Sequence, residues 1–152
     1  MRRLMIGSVL LATSVVQAQT PRPELDYASA AKIRDGCIAW AAAKKLEVSV
    51  AVFDRHGTLI AQGHMDETPA AVGEIAQWKG RSAARMQVAS AETAKWGGSA
   101  PGLANWGGGV PFATPGGAPL GGVGVSGASS DEDVACGKAG ISAAGLKPVG
   151  AD

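Results

Sequence analysis

The chain has 152 residues, 14 of them Lys or Arg and 13 Asp or Glu, for a formal net charge of +1. So balanced a charge leaves no electrostatic footprint for nucleic acid or an anionic membrane surface. The length suits one domain with a real hydrophobic core.

Residues 1–18 have the form of a secretory leader. Arg2 and Arg3 open it, Leu4 to Val16 is mostly apolar and uncharged, and Val16-Gln17-Ala18 supplies a small-x-small cleavage pattern. Cleavage is expected after Ala18, with the mature protein in the periplasm or secreted. The apolar run is shorter than the roughly 20 residues that span a bilayer. No Cys lies near the cut to carry a lipid, and no later segment is long and apolar enough to cross, so no membrane anchor is expected. Loss of Arg2 and Arg3 with the leader leaves 12 basic against 13 acidic residues, a net charge of −1 over residues 19–152. In an oxidising compartment the two cysteines, Cys37 and Cys136, are disulfide candidates. A bridge would close nearly the whole domain and stabilise it by roughly 4–5 kcal/mol; two buried thiols are the alternative.

Pro21 and Pro23 make residues 19–25 an extended lead-in. A helix is predicted from Asp26, its N-cap, because Ala30, Ile33, Cys37, Trp40 and Ala41 recur at three- and four-residue steps. Lys44 and Lys45 suit its C-terminal end. Val48 to Phe53 and Thr58 to Gly63 flank the turn Asp54-Arg55-His56-Gly57 and read as a β-hairpin. After Pro69 a second helix is predicted from Ala71 to about Lys95, with a break or bend expected at Gly73 or Gly80. Gly97 to Gly109 is a Gly-rich loop. Val110 to Thr114 and Pro119 to Ser126 form a second hairpin about Pro115-Gly116-Gly117. Ser129 or Ser130 caps a last helix with Asp131, Glu132 and Asp133 in its first turn, and Gly145 ends it.

Short hairpin links force antiparallel pairing. The fold class is therefore α+β, an antiparallel sheet packed with helices in the order helix, hairpin, helix, hairpin, helix. A Cys37–Cys136 bridge would set the first and last helices side by side on one face. The domain is assigned to residues 26–147, with 148–152 as a tail.

Gly122-Val123-Gly124-Val125-Ser126-Gly127 matches G-x-G-x-x-G but sits in the last strand, outside the βαβ context of a dinucleotide site. Its glycines instead admit a helix or ligand close to the sheet. Ser126 lacks the G-x-S-x-G frame of a nucleophile elbow, since position 128 is Ala. His56 and His64 are the only histidines; eight residues of strand at about 3.3 Å each hold them some 26 Å apart, too far for one metal. His56 reads as an exposed turn residue. His64 is either structural, solvent-facing or a ligand. Trp78, Trp96 and Trp106 could line an apolar pocket, fill the core or make an oligomer contact.

Several spaced segments together resemble the GlcG/HbpS-like family of haem-binding proteins. They are Val50-Ala51-Val52-Phe53-Asp54-x-x-Gly57, Met65-Asp66, Ala76-x-x-Lys79, and Pro119 to Ala128 followed by Asp131-Glu132. The resemblance covers about residues 26–146. It implies a profilin-like sandwich, commonly oligomeric, with haem binding in some members. Roles near glycolate, cobalamin, redox-sensing or extracellular iron systems occur in others. Two departures stand out: His64 replaces the usual Arg before Met-Asp, and Gly80 follows Lys79 where Ala is usual. The cofactor expected is haem, with His64 as the iron ligand candidate and Met65 and Lys79 behind it. Lys79 or Arg81 would pair with a propionate. The expected pocket lies between the hairpin end, the start of the second helix and the Gly/Trp loop. A homo-oligomer is expected. An accessory subunit serving a partner enzyme, and a haem-degrading or other redox enzyme, are the alternatives. Few catalytic groups converge, so the reading leans away from an enzyme.

Overall fold

A computed structural model describes residues 19–98 and 100–150; the leader assigned to residues 1–18 lies outside them. Helix α1 (Tyr27–Ala43) starts at Asp26, whose carboxylate accepts the Ser29 N–H at 2.6 Å. Strands β1 (Ser49–Asp54) and β2 (Leu59–His64) form the first hairpin. Its turn closes on the Asp54 carboxylate, which accepts the N–H groups of His56 and Thr58 at 2.9 Å. Gly57 in that turn has φ +88°, a conformation that favours glycine.

Helix α2 runs unbroken from Ala70 to Met86. The expected break at Gly73 or Gly80 does not occur, because both glycines are packed contacts inside the helix. The helix instead stops at Gln87, which takes a left-handed conformation with φ 54°. The residues expected to continue it form a short helix α3 (Ser90–Thr93) and a 3₁₀ turn (Ala94–Trp96). Strands β3 (Gly109–Ala113) and β4 (Pro119–Ser126) form the second hairpin. Helix α4 (Ser130–Ala143) begins with a reciprocal capping box between Ser129 and Glu132. A short β5 (Lys147–Pro148) pairs with the end of β3, so the sheet takes in the first residue assigned to the tail.

The sheet is antiparallel, with strand order β2-β1-β4-β3-β5. Side chains alternate across it, so β1 feeds two different cores. Val50, Val52, Val123 and Val125 join Val110, Phe112, Ile33 and Ile141 in the larger one, beneath α1 and α4. Each such side chain stabilises by roughly 1.5–3 kcal/mol when fully buried. The Cys37–Cys136 disulfide joins the two helices with a Cα–Cα distance of 4.7 Å. Glycines permit that approach: a Cβ on Gly140 would fall 2.2 Å from the Ile33 carbonyl oxygen. The smaller core, Ala51, Phe53, Ala76 and Ala84, lies under α2 on the opposite face. Among the described residues no helix is long and apolar enough to cross a membrane.

Candidate functional site

The Gly122–Gly127 segment is the floor on which α2 lies. A Cβ on Gly124 would fall 2.0 Å from the Ala76 carbonyl oxygen, and one on Gly122 2.3 Å from the Ala84 nitrogen. Of the two occupants that its glycines would admit, a helix fills the position.

That close packing carries Lys79 inward. Its ammonium is buried, 2.8 Å from Asp133 Oδ2, 3.0 Å from the Val125 carbonyl oxygen and 3.4 Å from Ser126 Oγ. Asp133 Oδ1 accepts the Ala128 N–H at 3.2 Å. Burial pushes the Asp133 carboxyl above its ordinary value, while the Lys79 ammonium and the Ala128 N–H pull it back. Lys79 therefore holds α2 to α4 past the end of β4 and presents no charge at the surface. The sequence reading placed Asp133 with the acids of a helix start and missed this role. One signal was available: Asp133 precedes Cys136 and Gly137 by three and four residues, the spacing of one buried helix face.

His64 ends β2 and is exposed. Its Nε2 lies 2.8 Å from the Thr68 carbonyl oxygen. A carbonyl has no proton to give, so Nε2 donates, and in the neutral ring Nδ1 carries the lone pair. Nδ1 faces the first turn of α2, 3.3 Å from where a Cβ on Gly73 would stand. Met65 packs partly against the valine core. Beside it, Glu47, Asp66 and Glu67 line a hollow of about 320 Å³. Those carboxylates repel an anionic ligand.

Arg81 is exposed, its guanidinium carbon 5.3 Å from the centre of the Phe53 ring. The register sets Ser49 opposite His64 and Phe53 opposite Leu59, so Arg81 and His64 stand at opposite ends of the hairpin. The four residues singled out from sequence do not converge. His64 and Met65 form one place, Arg81 stands apart from them against Phe53, and Lys79 is interior.

The second place was not foreseen. Arg85, Met86, Trp96, Ala100, Pro101, Gly102 and Leu103 line a cleft of about 390 Å³ at the C-terminal end of α2. Met86 is 43% exposed and Trp96 54%. The loop before β3 folds back along α2: the Ala104 N–H reaches Ser82 Oγ at 2.9 Å, and Trp106 meets Trp78 edge to face at 6.0 Å. Helix α2 rises about 20 Å between Gly73 and Met86. The cleft is thus remote from His64, and the single pocket expected between hairpin end, helix start and loop is divided.

A family profile described as haem-degrading protein HbpS-like matches residues 25–142. The chain belongs to the HbpS-like family. Among solved structures, an HbpS crystal structure is 30% identical with a TM-score of 0.75, covering 86% of this chain and 97% of that one. A double mutant of Streptomyces reticuli HbpS is 28% identical with a TM-score of 0.74, covering 90% and 97%. A PduOC–haem complex is 22% identical with a TM-score of 0.74, covering 82% and 98%, a likeness of fold. The comparison with curated protein sequences gave no match. The expected α+β architecture of the HbpS-like fold is the one observed.

Proposed function

We propose that this HbpS-like protein is an exported haem-binding module serving haem or iron handling or redox sensing. Family membership is the observation that carries the reading. The donor chemistry fits it. Haem asks for an apolar wall, cations for its two carboxylates, and an imidazole or thioether for iron. The cleft offers indole, leucine, guanidinium and thioether groups, and the end of β2 offers an imidazole. Export is supported by the leader pattern and by the disulfide, a bond at home in oxidising compartments.

Bound haem would supply an iron centre able to take up or release an electron. The protein's own part is to hold and orient it. His64 can offer Nδ1 without losing its hydrogen bond to Thr68, whereas Arg81, exposed at the other end of the hairpin, would serve a propionate only of a haem held away from His64. Titration of the mature protein with hemin tests the reading. A saturable Soret shift at fixed stoichiometry is expected, and no shift at micromolar hemin would remove haem from the account. A second reading, an accessory subunit that docks on a partner or on its own copies, draws support from exposed Trp96 and Trp106. Size-exclusion chromatography with light scattering, with and without hemin, separates the two.

A further inference from the structure

The geometry points to the cleft at the C-terminal end of α2 as the haem site, with Arg85 binding a propionate and Met86 Sδ supplying the iron ligand. The assignment rests on the haem-binding reading and says where on the chain that reading is realised.

Three observations converge on it. The first is shape and surface. The cleft is walled by Trp96, Leu103 and Pro101, and its volume of about 390 Å³ falls in the range of small-molecule sites. An exposed indole beside a half-buried leucine is unfavourable in water and gains by covering a flat macrocycle.

The second is charge. Arg81 and Arg85 lie one helical turn apart on the same face of α2. Both lean on the hairpin turn: a Cβ on Gly57 would meet Arg85 Cδ at 2.8 Å and Arg81 Cγ at 3.4 Å. Among the described residues neither guanidinium has a carboxylate within ion-pair distance; Arg55, Arg34, Lys79 and Lys95 are the cations that do. Two neighbouring like charges without a counterion favour an anionic ligand, and a guanidinium binds a carboxylate through two parallel hydrogen bonds. At the other place the balance is reversed, because Glu47, Asp66 and Glu67 surround Met65.

The third is the iron donor. Met86 is the one residue lining the cleft whose side chain is a haem-iron ligand of known type, a soft thioether. His64 cannot reach a porphyrin held there, since α2 rises about 20 Å between the helix turn beside His64 and Met86.

The test compares hemin with zinc protoporphyrin on the wild-type protein and on the Arg85→Glu, Met86→Ala and His64→Ala variants. Thermal melting checks that each variant is folded. Arg85→Glu should weaken both porphyrins about tenfold or more, because a charged hydrogen bond is lost and repulsion added. Met86→Ala should retain zinc protoporphyrin binding and shift the ferric spectrum, with loss of any thioether-to-iron charge-transfer band. If wild type binds hemin, yet Arg85→Glu and Met86→Ala match it while His64→Ala alone loses the Soret shift, the assignment is overturned and the haem-binding reading stands. If wild type binds neither porphyrin, the reading itself fails.

Discussion

The two faces of the sheet are held by opposite means. Beneath α1 and α4, branched side chains fill the space: Val50, Val52, Val123, Val125, Ile33 and Ile141 are fully buried there. Beneath α2 the space is removed instead, since Gly122, Gly124 and Gly80 bring helix backbone against strand backbone. The first face gains stability from transferred apolar area. The second gains it from close contact and a polar tie, the Lys79–Asp133 pair. The difference shows up at the surface. A helix lying flat on glycines keeps part of its outer side free, and there stand the exposed Arg81, Arg85 and Met86.

Breaking the bridge on the branched face should have the largest effect. Cys37 and Cys136 are 99 residues apart. Replacing both by Ala should lower unfolding free energy by about 4–5 kcal/mol in denaturant titrations. Lys79 comes next, because it joins the two faces. Lys79→Met leaves the Asp133 carboxylate buried without its partner and should cost about 3–5 kcal/mol. Adding Asp133→Leu should return most of that loss, and a double-mutant cycle measures how much.

Adding a single methyl group sharpens the contrast between faces. Gly124→Ala must push α2 off the sheet, since the new Cβ would lie 2.0 Å from the Ala76 carbonyl oxygen; a loss of about 1–3 kcal/mol or more is expected. On the other face Ile33→Val removes a methylene and should cost about 0.5–1.5 kcal/mol. Equal costs would mean that the two faces are not packed differently. The smallest effect belongs to the start of α1. The Ser29 N–H holds the exposed Asp26 carboxyl below its ordinary 3.8. That contribution is present above 3.8 and disappears as the pH falls through the lower folded-state value. Asp26→Ala should therefore melt slightly below wild type at neutral pH, and the gap should close in acid.

Much of the fold was legible because its signals are local. Asp26 and Ser129 announce helix starts through side chains that reach only three residues along the chain. Both hairpins follow from turn residues, and the cysteines were few enough to pair. The second helix was overextended because Val88 and the alanines after it continue the apolar spacing past Met86. Gln87 in a left-handed conformation carries no comparable mark. The candidate site was read less well. His64 and Met65 are neighbours in sequence and remain so, but the cleft draws on α2 and on a loop beyond residue 96. Gly-rich composition locates such a loop without saying which helix it covers.

The sequence by itself determined the starts of the three long helices, the hairpins, the antiparallel sheet and the family, since each rests on periodicity, capping or short motifs within one segment. Only the tertiary structure decided which ligand-competent groups share a surface. Lys79 and Asp133 are 54 residues apart, and their pairing depends on how closely α2 settles on Gly122 and Gly124. That depth of contact arises from packing between segments. It turns Lys79 inward, leaves Arg85 and Met86 facing out, and separates them from His64 by the length of one helix.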